Sequence, residues 1–136
     1  MAALAVHHVG VAVQDLDDGI ATYAGLFGAR LEHRGLLLDQ GVDAASLRVG
    51  PSRLELLAAL GEDTPVGRFL AKRGPGLHHV AFAVADVAAE LERLRAEGIH
   101  LIDAAPRQGL FGLEVAFVHP DSTGGVLAEL VTDVGV

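Results

Sequence analysis

Two histidines and two glutamates stand at matching places in the two halves of this 136-residue chain. His8 lies in HHVGVAV (7–13) and His79 lies in HHVAFAV (78–84), 71 residues further on. Glu55 lies in SLRVGPSRLELL (46–57) and Glu129 in VAFVHPDSTGGVLAELV (115–131). In both segments an apolar run meets a Pro/Ser/Gly turn, and a second apolar run follows with the glutamate embedded in it. Two imidazoles and two carboxylates make an N₂O₂ set. That set suits one borderline divalent cation such as Co²⁺, Ni²⁺, Mn²⁺ or Zn²⁺ and leaves coordination positions open for a substrate. A single histidine in an apolar strand is ordinarily a hydrogen-bonded core residue. A glutamate inside LELL or LAEL is harder to place, because an unpaired buried carboxylate costs several kcal/mol and must be neutralised, paired or metal-bound. The recurrence of both residues favours the metal. His7 and His78 lie one residue earlier, so strand alternation turns them to the opposite face and they are read as structural.

The elements that must position these side chains follow from the repeat. Residues 4–13 read as a buried strand, Asp15 as an N-cap, and Ile20, Tyr23, Ala24 and Phe27 as one helix face that Gly28 ends. Strands follow at about 30–38, 44–50 and 53–59, broken at Gly41 and at Gly50-Pro51-Ser52. The stretch 61–76 carries a short helix and a Gly/Pro-rich linker. The order then recurs: a strand at 78–84, cap Asp86, a helix over 87–97 stopped by Gly98, and strands near 99–103, 113–118 and 126–132. That is βαβββ twice, with module 1 over about 4–60 and module 2 over about 77–133. Neither is large enough to close a core alone, so the expectation is a single α+β domain over 1–136 with a curved sheet around the four residues.

Composition narrows the function classes. Half the residues are hydrophobic and the mean hydropathy is +0.40, which supplies a core and argues against disorder. A net charge of −8 lacks the basic footprint of a nucleic-acid partner. Zero cysteines exclude disulfides, thiolate ligation and a cysteine nucleophile. No apolar run reaches the roughly 18–20 residues of a membrane span. The opening MAALAVHHVG has no basic n-region and is read as mature protein, so a cytoplasmic location is expected.

The chain resembles the vicinal oxygen chelate superfamily of paired βαβββ metalloenzymes, and within it the methylmalonyl-CoA epimerase family. The resemblance covers residues 6–132. It is carried by HHVGVAVQDLD, the QGV at 40–42, RLELL at 53–57, EDTPVGRFLAKRGPGLHHVAFAVADV, APRQGLFG (105–112) and FVHPDSTGGVLAELV (117–131). The strings GLHHVAF and HPDSTGGVLAEL are the ones specific to the epimerase branch, since the His/Glu set is shared with glyoxalase I. The resemblance implies metal ligation by His8, Glu55, His79 and Glu129. It also implies epimerisation of (R)- and (S)-methylmalonyl-CoA by removal and return of the α-proton through an enolate. The alternative it leaves open is a glyoxalase I-type lyase or isomerase acting on a glutathione hemithioacetal or another small substrate.

Two departures from the family pattern bear on the catalytic residues. The first-module carboxylate position is often Gln in epimerases and is Glu55 here. Some epimerases carry QGVxE, with that glutamate as an acid/base residue; here the position is Ala44, and Asp43 belongs to the other strand face. Asp121 also stands where many members have Lys. Inversion at an α-carbon wants a base on each side with its pKa moved toward neutrality. Glu129 is one candidate, and Glu55 replaces the missing one. Substrate contacts are expected from Gln40, Arg107 and Ser122. Arg68, Lys72, Arg73 and Arg107 are the cations available to coenzyme A phosphates. Arg107 stands out because it lies in a glycine-containing loop. The expected partners are an acyl-CoA substrate and a second copy of the chain, with no nucleic acid and no membrane.

Overall fold

Apolar runs become strands here, and turn residues marked in the sequence stop them. In the computed structural model, which describes residues 3–132, the order is β1 (Ala5–Ala12), α1 (Leu16–Phe27), β2 (Arg30–Leu37), β3 (Val42–Val49) and β4 (Ser52–Ala59). Then come α2 (Pro65–Arg73), β5 (Gly76–Val84), α3 (Val87–Ala96), β6 (Arg107–Gln108), β7 (Glu114–Val118) and β8 (Ala128–Thr132). The caps expected from the sequence hold. Asp15 accepts from the Asp18 amide at 2.9 Å, and Gly28 closes α1 at φ 67°, a conformation that favours glycine. Asp86 accepts from the Ala89 amide at 3.1 Å, and the Thr132 hydroxyl takes the Val87 amide at 3.0 Å, so two free N–H groups of α3 are satisfied. Among the described residues no helix is long and apolar enough to cross a membrane.

The chain divides into two compact units, Val9–His78 and a discontinuous unit that joins residues up to His8 with those from His79 onward. In the first, the strands are ordered β2-β3-β4-β1, with β1 and β4 parallel and the other pairs antiparallel. Helix α1 covers one face, where Leu16 and Ala29 pack with Val11, Ala45, Leu47, Leu56 and Ala58. Gly10 and Ser46 are the register partners of Glu55, so Glu55 sits on the face turned away from α1.

In the discontinuous unit, the start of β1 is followed by β5, β8, β7 and β6. The Leu4 amide donates to the Ala83 carbonyl at 2.8 Å. Strands β5 and β8 are parallel, with Ala81 opposite Glu129. Helix α3 covers one face through Val87 and Leu91 against Ala116, Val118, Ala128 and Leu130. The register of the two parallel pairs is the same: a glutamate faces the residue two beyond the histidine, Gly10 in one and Ala81 in the other. The chain thus has the α+β, twice-repeated βαβββ fold that the sequence repeat implies.

One expected strand is missing. Around 99–103 only Leu101 pairs, as an isolated bridge to Val118. The Asp103 side chain is responsible, because its Oδ2 accepts the Phe117 amide at 2.8 Å where a backbone carbonyl would continue the ladder. The amides of Ile102 and Asp103 both turn to the Phe117 carbonyl, at 3.0 and 3.2 Å. Pairing resumes only at β6, where Arg107 lies opposite Val115.

Candidate metal centre

The period-two geometry of a sheet decides what the second face of the discontinuous unit carries. Glu129 on β8 is opposite both Ala81 on β5 and Phe117 on β7, so His79, two residues before Ala81, shares its face. Arg107 is opposite Val115, two residues before Phe117, and joins the same face. His8 completes the group from β1. Its Nε2 lies 3.0 Å from His79 Nε2 and 3.0 Å from Glu129 Oε1, and His79 Nε2 lies 3.6 Å from the same oxygen. All three side chains are buried.

Three lone-pair atoms at these separations fit a shared cation. Ligand atoms about 2.1 Å from one ion stand roughly 3.0 Å apart at a right angle and roughly 3.4 Å apart at a tetrahedral angle. The orphaned acceptor points the same way. Glu129 Oε1 is buried with no hydrogen-bond partner, so its approach to His8 is a close contact without hydrogen-bond geometry. Burial pushes the Glu129 carboxyl up to about 8, with Arg107 pulling it down and Asp103 raising it. A buried carboxylate and two imidazole nitrogens are a donor set for a divalent ion with open positions.

The remaining predicted residues fall into three groups. Arg107 is close to the centre: its Nε donates to Asp103 Oδ1 at 3.1 Å, and its guanidinium lies 5.9 Å from the centroid of the Phe117 ring, which packs edge-on against His79. Ser122 is committed to structure, because its hydroxyl accepts from the His100 amide and donates to the His100 carbonyl, both at 3.0 Å. Gln40 lies in the β2–β3 turn, and Glu55 on β4, both in the Val9–His78 unit. In that unit Ala44 is fully buried on the Glu55 face. Asp43 points the other way and accepts from Arg34 at 3.1 Å, while Arg34 also holds Asp17 of α1 at 2.5 Å. That ion-pair network commits Asp43 to the α1 side. On α2, Arg68 bonds the Asp63 carbonyl and Arg73 lies over the Phe69 ring, while Lys72 is exposed.

The paired histidines behave differently from each other. His78 packs edge-on against Phe69 at 5.0 Å and burial holds its pKa below the usual value. His7 is buried and its Nδ1 lies 2.8 Å from His8 Nδ1, a contact that simple alternation did not anticipate. A second His/His/Asp group, His100, His119 and Asp121, lies on the surface. Its His119 Nδ1 already accepts the Asp121 amide at 3.0 Å and caps the turn there, which accounts for the cluster without a ligand.

Known proteins share this fold. Residues 7–117 match the family model of the Glyoxalase/Bleomycin resistance protein/Dioxygenase superfamily. The ethylmalonyl-CoA/methylmalonyl-CoA epimerase of Cereibacter sphaeroides is 34% identical over 92% of this chain and 95% of its own length. The crystal structure of methylmalonyl-CoA epimerase from Mycobacterium tuberculosis superimposes with a TM-score of 0.93 at 38% identity, covering 97% of this chain and 89% of that one. A variant methylmalonyl-CoA epimerase of Streptomyces coelicolor, solved with 2-nitronate-propionyl-CoA, gives 0.94 at 37% identity, covering 99% and 98%. The chain belongs to the Glyoxalase/Bleomycin resistance protein/Dioxygenase superfamily, among relatives that are methylmalonyl-CoA epimerases.

Proposed function

We propose that this protein is an isomerase of the racemase/epimerase class that interconverts (R)- and (S)-methylmalonyl-CoA in a metal-dependent reaction. The observation that carries the reading is the buried convergence of His8, His79 and Glu129, in a chain whose relatives act on that thioester. His8, His79 and Glu129, with Glu55 as the fourth ligand, hold one divalent ion. Glu55 is assigned by its register on β4, which repeats that of Glu129 on β8. When bound, the ion supplies Lewis-acid stabilisation of the negative charge that develops as the α C–H bond breaks.

The protein's own groups move the proton. Glu129, which β8 sets on the same face as His79, removes it from the α-carbon. Glu55, protonated before the step, is the group assigned to return a proton with inversion; Glu129 ends as the acid and Glu55 as the carboxylate, and exchange with solvent resets both between turnovers. Arg107, on the Glu129 face, orients an anionic group of the substrate, with Asp103 fixing the plane of its guanidinium. Gln40 is a further polar contact from its turn. Ser122 contributes through the loop it pins to His100. The partner is therefore a small acyl-CoA.

The test is incubation of metal-loaded protein with methylmalonyl-CoA in D₂O, following α-proton exchange and epimer composition by NMR. Exchange with loss of optical purity is expected. Lactoylglutathione formation from the glutathione hemithioacetal, without α-exchange of the acyl-CoA, would move the protein to the glyoxalase I-type reaction.

A further inference from the structure

We propose that His7 is a positioning residue for the metal centre. Its Nδ1 accepts a hydrogen bond from His8 and thereby holds His8 in the tautomer whose Nε2 lone pair faces His79 and Glu129. The proposal rests on the reading of His8, His79 and Glu129 as metal ligands.

The two Nδ1 atoms are 2.8 Å apart, with ring centroids at 5.0 Å and planes at 78°. At that separation one nitrogen must carry the proton and the other must accept it, because two facing lone pairs repel. A neutral imidazole has a single N–H, so this contact also decides what the far side of the His8 ring presents. If His8 donates from Nδ1, its Nε2 keeps a lone pair that accepts from His79 Nε2 at 3.0 Å in the metal-free protein and is available to a cation that displaces that proton, with Glu129 Oε1 also 3.0 Å away. If His7 donates, the His8 proton is driven to Nε2, into the space a cation needs. Only the first arrangement is compatible with ligation. His7 is 6% exposed, so bulk water does not replace it as the acceptor. Ligating histidines characteristically donate their second N–H to a fixed partner, which orients the ring and raises its basicity. Here that partner is the neighbouring residue in the chain.

The repeat gives an internal contrast. His78 has the same sequence relation to His79 that His7 has to His8, yet it packs against Phe69. His79 is steadied by the edge of the Phe117 ring. A role for His7 therefore rests on the observed His7–His8 contact and not on the sequence pattern alone.

The test compares His7→Asn, which keeps an acceptor oxygen near the place of Nδ1, with His7→Leu, which fills similar volume and offers none. Two readouts are taken on folded protein: Co²⁺ affinity by competition with a chelator, and the tautomers of His8 from long-range ¹H–¹⁵N spectra of the metal-free protein. We expect His7→Leu to weaken Co²⁺ binding about 10- to 100-fold, the usual effect of removing an outer-shell partner, and to lose the pure Nδ1–H form of His8. His7→Asn should stay close to the wild-type affinity and tautomer. Equal Co²⁺ affinity in wild type and His7→Leu would overturn the role of His7 and leave the metal site standing. Wild-type protein that binds no Co²⁺ would overturn both. Loss of affinity in His7→Asn as large as in His7→Leu would show packing, with no part for the acceptor, and would also overturn the proposal.

Discussion

Removing the Glu129 charge while keeping its shape, Glu129→Gln, should change how the metal-free protein responds to pH. In the folded chain burial raises this carboxyl from an ordinary 4.5 to about 8. The folded state therefore holds the proton more tightly than the unfolded state. Its stabilising effect is complete below pH 4.5 and is lost as pH rises toward 8. Each pH unit inside that window is worth about 1.4 kcal/mol. Between pH 5.5 and 7.5 wild-type metal-free protein should therefore lose roughly 2–2.5 kcal/mol more stability than Glu129→Gln does. Urea unfolding in the presence of a chelator at the two pH values measures it. Parallel pH dependence in the two proteins would refute the claim that Glu129 is desolvated. Saturating Zn²⁺ should flatten the wild-type slope, because the cation then occupies the place of the proton.

Further outcomes follow from other parts of the structure. His8→Ala should abolish stoichiometric binding of one divalent ion per chain while leaving the far-ultraviolet circular dichroism unchanged; full metal occupancy by elemental analysis would remove His8 from the site. Glu55→Gln should keep the metal and lower epimerisation by about 10²–10⁴-fold, with part of the α-proton exchange surviving through Glu129, and near-normal epimerisation would end its assignment as a base. At Gly67 an added Cβ would stand 2.2 Å from the Gly61 carbonyl oxygen, so Gly67→Ala should destabilise by about 1–3 kcal/mol in thermal unfolding. Light scattering should find a homodimer, and a monomer at every concentration would contradict that expectation.

What the sequence could and could not show has physical reasons. The caps at Asp15 and Asp86 and the stop at Gly28 were legible because capping is decided by a residue and its near neighbours. His8, His79 and Glu129 were legible because a repeat puts equivalent residues at equivalent register, and the parallel pairs repeat that register. The strand expected at 99–103 was misread because Asp103, looking like an ordinary turn residue, reaches across to the Phe117 amide. No local pattern announces such a contact. The His7–His8 contact was not legible for a different reason: alternation fixes the direction of Cβ, but an imidazole is long enough to turn back toward its neighbour. The bond of Ser122 to the backbone of His100, 22 positions away, was likewise beyond any local pattern.

The ligands of the buried triad come from residues 8, 79 and 129, with the whole Val9–His78 unit lying between the first and second. A cation shared by them acts as a reversible cross-link that closes successive loops of 71 and 50 residues, 79 − 8 and 129 − 79. Closing loops of that length costs chain entropy that the unfolded protein otherwise keeps, so an ion bound there would act as a staple besides any chemistry it supplies. During synthesis His8 emerges long before Glu129, and a cross-link between them cannot form until Glu129 is out. Capture of a shared ion by all three ligands would therefore follow synthesis of β8, and its removal by a chelator should loosen the hold on the residues up to His8.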